Sequence, residues 1–207
     1  MAVKPTATPA NDRLESSELF AAMTLFLLVS TLHVVYMFHA GGIWRDEVNT
    51  FNVATRPNLR DMWSYMSWDS CPILWPLLLR GWVHLGLGSS DLGLRLIGAI
   101  IGILILIVLW RNSRQLGNAL PFCSLVLIGT NATILHYGDS IRAYGFSVIL
   151  MILVLTAVWN VCRRPTWPQV LNAAVLSVLS VQSLYHNSIA LLAICAGGVA
   201  ISVRRRD

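Results

Sequence analysis

The chain has 207 residues, 56% of them hydrophobic and only 12% charged, with a mean hydropathy of +0.64. Soluble domains carry about a quarter charged residues, so this composition excludes an ordinary water-soluble domain and reads as an all-α polytopic membrane protein. The formal charge of +5 does not argue for nucleic acid, because the arginines stand at the ends of apolar runs, where they orient helices in a bilayer. Cys71, Cys123, Cys162 and Cys195 are scattered, with no CxxC pair. That spacing indicates neither a disulfide framework nor a metal site.

Residues 1–18 are polar, with Pro5, Pro9 and mixed charges, and predict a disordered cytoplasmic tail ahead of a transmembrane domain over 19–207. Leu19 to Phe38 is too long for a signal-peptide core and predicts the first span. The next spans are predicted at 92–110, 115–138 and 143–162. The uncharged stretch 165–203 is long enough for two more, divided at Tyr185-His186-Asn187-Ser188. The total is about six spans. Gly98 and Gly102 form a GxxxG that lets helices approach closely. Residues 72–87 carry Arg80 and His84 around Pro76. A central arginine costs about 2.5–3.5 kcal/mol to insert, so this segment predicts a juxtamembrane helix lying in the interface, anchored by Trp75 and Trp82.

Basic clusters follow three of the runs: Arg111 with Arg114, Arg163 with Arg164, and Arg204 to Arg206. Placing all three in the cytoplasm puts the N-terminus inside and residues 39–91 outside. The compartment read from lean loops and few cysteines is a bacterial inner membrane. Three outer segments then carry the polar residues. Trp44-Arg45-Asp46-Glu47 reads either as the acidic first turn of a surface helix or as part of a site. Trp68-Asp69-Ser70 reads as a helix start, with Asp69 or Ser70 as N-cap. His136 to Tyr144 reads as a hairpin turn in which Asp139 pairs with Arg142. Asn131-Ala-Thr133 matches a glycosylation sequon but falls inside a predicted span.

Taken in order, these motifs resemble a family. An Asp46-Glu47 pair follows the first span. Cys71-Pro72-Ile73-Leu74 leads into the juxtamembrane helix, Leu94-Arg95-Leu96 starts the next span, and Tyr137-Gly-Asp-Ser-Ile-Arg142-Ala-Tyr144 forms a turn. The set is similar to the N-terminal part of GT-C glycosyltransferases, in the group of the dolichyl-phosphate-mannose-protein mannosyltransferases and the aminoarabinose transferases of lipid A. The resemblance covers roughly residues 19–203. Cys71 departs from the family's histidine and Ile73 from its second proline, and family members carry further spans, so the chain reads as truncated.

The resemblance implies a GT-C-like fold and transfer of a sugar, with inversion, from a polyprenyl-phosphate donor to an acceptor on the outer face. Such a reaction needs a base for the acceptor hydroxyl and positive charge for the leaving phosphate. Asp46 is the expected base and Glu47 its support, a place also compatible with a divalent metal, although no metal site is assigned and no cofactor is implied. Arg142, then Arg45, are the expected phosphate-binding residues. Asp139, Asp69, Tyr137 and Tyr144 are expected to support the sugar or the site. His186, with Asn187, either lines the same cavity or solvates a tight turn. His33 and His84 are given no function. The alternative is a truncated, non-catalytic relative that binds lipid-linked sugar or completes a partner subunit. A transporter fits less well, because its ionisable residues belong near mid-membrane.

Overall fold

A computed structural model describes residues 9–66, 72–117 and 119–204, with side chains from residue 14 onward. Among the described residues every regular element is helical. Among the described residues four helices are long and apolar enough to cross a bilayer: Leu14–His39 of α1 (Pro9–His39), α5 (Asp91–Gly117), α8 (Tyr144–Arg163) and α10 (Asn187–Arg204). The segment after α1 folds as α2 (Arg45–Ala54), α3 (Leu59–Tyr65) and α4 (Leu74–Trp82), which runs into a π-helical turn, Val83–Leu87. Between α5 and α8 lie α6 (Phe122–Ser124), a second π-helical turn (Leu125–Gly129) and α7 (Ala132–Gly138), while α9 (Trp167–Ser183) joins α8 to α10.

The expected six spans are thus corrected to four continuous apolar helices. The uncharged run 115–138 concealed a break. Pro121 precedes α6, and Asn131 adopts extended backbone and caps α7, its side chain accepting from the N–H groups of Thr133 and Ile134. The sequon asparagine therefore sits at a helix break, not inside a helix. α9 has 17 residues, one fewer than α10, the shortest of the four. At the N-terminus, α1 begins at Pro9, inside the stretch expected to be a disordered tail.

α5 is the central helix and packs against α1 and α8, while α8 carries α9 and α10 on its other side. The main core joins α1, α5, α8 and the turn at 125–129 through Val29, Ile101, Ile105, Leu106, Leu125 and Ile149. A smaller cluster of Ala54, Leu79, Leu94 and Ile141 fastens α2 and α4 to the start of α5. α4 has 9 residues, too few to span, and Trp75, expected as an interfacial anchor, is packed inside. It is 1% exposed and its indole N–H donates to the Ile141 carbonyl at 3.0 Å. Arg80 donates to the carbonyls of Ala54, Arg56 and Pro57, which satisfies acceptors left open at the end of α2.

Gly98 and Gly102 do bring chains close together, but not only helix to helix. A Cβ at Gly98 would collide with the Asp139 carbonyl, and one at Gly102 with the His33 ring and the Asp139 carboxylate. The motif on α5 makes room for a buried polar pair.

Candidate functional site

α1 ends at His39 and the chain turns through residues 40–44 into α2. Glu47 explains why acids stand there. Its Oε2 accepts from the Trp44 N–H at 2.8 Å, capping the first turn in the manner of a capping box. Its Oε1 accepts from Arg95 Nη1 and from the Ile141 N–H, both at 2.9 Å. The Glu47–Arg95 ion pair is buried on both sides, and Arg95 also donates to the Gly42 carbonyl at 2.9 Å. Glu47 therefore joins α1's exit, α5 and the 139–142 turn.

Arg142 works on the same joint. Its Nη1 donates to the Asp46 carbonyl and to Thr50 Oγ1, each at 3.2 Å, and its guanidinium lies 5.7 Å from the Tyr144 ring centroid. Arg142 and Asp46 thus come together, through the backbone of Asp46. The Asp46 carboxylate is left for other uses, since among the described residues no hydrogen bond or ion pair engages it.

Asp139 departs from the expected pairing with Arg142. Both of its carboxylate oxygens lie 2.8 Å from His33 Nδ1, in a contact buried against Gly98 and Gly102. Burial pushes the Asp139 carboxyl above the ordinary carboxylate range, and the His33 contact draws it part-way back.

Around this joint opens a cavity of about 310 Å³ framed by Tyr36, Trp44, Asp46, His136, Tyr137 and Tyr144, with Glu47 and Arg95 in its lining. Several rings stand in its wall. Tyr36 Oη is hydrogen-bonded to His136 Nδ1 at 2.7 Å, His136 meets Tyr137 edge to face at 4.8 Å, and Tyr137 meets Tyr144 at 6.0 Å. A second cavity of about 490 Å³ shares Tyr137 and Tyr144 with the first but is otherwise walled by residues such as Ile105, Ile134 and Val148. A polar cavity and an apolar groove therefore meet at one tyrosine pair.

Of the expected site residues, Asp46, Glu47, Tyr137 and Tyr144 share this cavity. Arg142 braces it from behind α2, and Arg45 is exposed at the first position of α2 without lining it. Asp139 is buried against α1. His186 is exposed between α9 and α10 and does not line the cavity, while Asn187 is buried on Ser180. Asp69 and Cys71 lie outside the described residues. Among the described residues no three metal-ligating side chains cluster, and Glu47 is fully engaged as a carboxylate. Sequence reasoning assigned nothing to Arg95, Tyr36, His136 or His33. Their signal was an ionisable or polar group within or beside an apolar run. No protein-family model, curated protein or solved structure matches the chain.

Proposed function

We propose that the chain is a membrane glycosyltransferase-like protein whose Asp46 cavity receives the sugar of a polyprenyl-phosphate donor. The observation that carries this reading is the junction of the two cavities at Tyr137 and Tyr144. An amphipathic ligand fits such a junction, with its headgroup beside Asp46 and its tail along the apolar groove. In this reading an acceptor hydroxyl attacks the anomeric carbon. The new C–O bond forms as the bond to phosphate oxygen breaks, and the phosphate leaves with the electron pair. Asp46 takes the acceptor's proton. Arg142 holds Asp46 in place through its backbone carbonyl, and Arg45, next to Asp46 on α2, adds positive potential for the leaving phosphate.

The orientation belongs to the same proposal. The N-terminus lies in the cytoplasm of a bacterial inner membrane and the cavity faces outward. The broken segment 121–138 and α9 return the chain between the long helices. One observation favours a second reading, a lipid-linked-sugar binder without turnover. Arg95 and Arg142 are both held by protein acceptors, which leaves less cationic capacity for a leaving phosphate.

Sugar release from polyprenyl-phosphate sugars by the purified chain in lipid separates the two. Asp46→Asn is expected to lower turnover by about 10²–10⁴-fold, as removal of a general base does. Arg142→Ala should lower it as well, by freeing the first turn of α2. Donor binding without turnover in the wild type selects the second reading, and neither binding nor turnover rejects both.

A further inference from the structure

The most ordered polar arrangement without a role so far lies where α1 meets α7. His33 and Tyr36 are three residues apart on α1, and His136 and Asp139 three apart on α7 and its C-cap. Residues at that spacing share a helix face. The two pairs meet as two rungs, His33 with Asp139 at 2.8 Å and Tyr36 with His136 at 2.7 Å. The first rung is closed off, with His33 1% and Asp139 2% exposed. The second opens on the Asp46 cavity.

A neutral tyrosine–histidine pair has a fixed remainder of hydrogen-bonding capacity. If the phenol donates to Nδ1, the imidazole carries its proton on Nε2 and the phenol oxygen keeps a lone pair. If Nδ1–H donates to the phenol oxygen, the phenol proton is free to donate and Nε2 accepts. Either way the pair offers one donor and one acceptor. A phosphate oxygen only accepts and an ammonium only donates, whereas a hydroxyl does both. Tyr137, Tyr144 and Ser140 line the cavity as well, and the Ser140 hydroxyl is spent on the Tyr137 carbonyl. Asp46 offers acceptors alone, and the charge of Glu47 is matched by Arg95.

We infer that Tyr36 and His136 form a hydroxyl-reading subsite of the Asp46 cavity, selecting a polyhydroxylated headgroup whose separate hydroxyls meet the donor at one end of the pair and the acceptor at the other. The inference rests on the reading of this cavity as a sugar site and makes Tyr36 and His136 its specificity-determining residues. The buried His33–Asp139 rung acts as a positioning element, because it fixes the rotation of α1 at which Tyr36 meets His136.

The test uses the full chain in lipid nanodiscs and three probes: polyprenyl-phosphate mannose, bare polyprenyl phosphate and methyl mannoside. Wild type is compared with Tyr36→Phe, His136→Leu and His136→Gln, the last of which restores a donor and an acceptor. The wild type is expected to prefer the mannosyl lipid over the bare lipid. Tyr36→Phe and His136→Leu should shrink that preference about tenfold, the scale of one lost hydrogen bond, with bare-lipid affinity unchanged and His136→Gln partly restored. An unchanged preference in both variants, or an equal loss for both lipids, overturns the subsite and leaves the donor reading standing. Binding of methyl mannoside that depends on Tyr36, without lipid binding, upholds the subsite and rejects the lipid donor. A wild type that binds none of the three probes overturns both.

Discussion

Asp46 and Glu47 are adjacent acids with opposite fates. Glu47 is spent on the fold, because each of its oxygens meets a donor and its charge is cancelled by Arg95. Breaking a buried ion pair from one side leaves an uncompensated charge and costs about 3–5 kcal/mol. Arg95→Met is therefore expected to lower thermal stability in lipid severely, whereas Arg45→Met at an exposed position should change it by no more than about 0.5 kcal/mol. Equal unfolding temperatures for the two variants would remove Glu47 from its structural role. Asp139 gives a second residue-scale expectation, with a definite sign. Burial raises its carboxyl in the folded state, so the folded chain binds the proton more tightly than the unfolded one. Its contribution is fully present below the ordinary carboxylate value of about 3.9 and is lost as pH rises through the higher folded value. Thermal unfolding across that window, compared between wild type and Asp139→Asn, should show the wild type losing stability relative to the variant as pH increases.

At the scale of elements, α5 is where sequence and structure agree most closely and where they part. Its apolar run and its GxxxG are legible because both are local patterns, and the glycines do mark a close approach. What approaches is not legible, since His33 and Asp139 come from segments more than 100 positions apart. Enlarging Gly102 is expected to be more disruptive than an ordinary small-to-large change of about 1–3 kcal/mol, because the added carbon meets a polar pair and not a flexible side chain. Gly102→Ala should lower stability, while Gly197→Ala, whose Cβ would meet nothing within 4 Å, should not. The same division runs through the rest of the chain. The short acid-led helix α2 was readable from its first turn. The break before α7 was hidden because Pro121, Thr130 and Asn131 carry no charge, and charge was the boundary signal. Trp75 was misplaced because a tryptophan near a bilayer reads as an anchor until its indole finds a carbonyl. Asp46 was readable as a candidate. Tyr36 was not, since a lone tyrosine in a span has no pattern around it.

For the whole molecule, direction is the organising fact. Arg95 near the start of α5 and Tyr144 at the start of α8 both belong to the site, and farther along, Asn112 of α5 donates to Thr156 of α8 at 2.6 Å. The two helices therefore run parallel, away from Asp46. Cys162 near the end of α8 donates to the Gly198 carbonyl near the end of α10 at 3.4 Å, so α10 finishes at that same far end. Arg111, Arg163 and Arg204 thus gather opposite the cavity, although they come from three separate helices. Parallel neighbours require the chain to return between them, and the broken segment 121–138 and α9 carry that return. Basic residues collected at one end are what the positive-inside rule needs to orient a bundle. With the native cysteines replaced by serine, Arg45→Cys and Arg163→Cys should react with a membrane-impermeant thiol reagent from opposite sides, Arg45→Cys from outside the cell. Reaction from one side would break the parallel arrangement. Opposite sides with Arg45→Cys in the cytoplasm would keep the arrangement but place the cavity where cytoplasmic, not outer-face, acceptors could reach it.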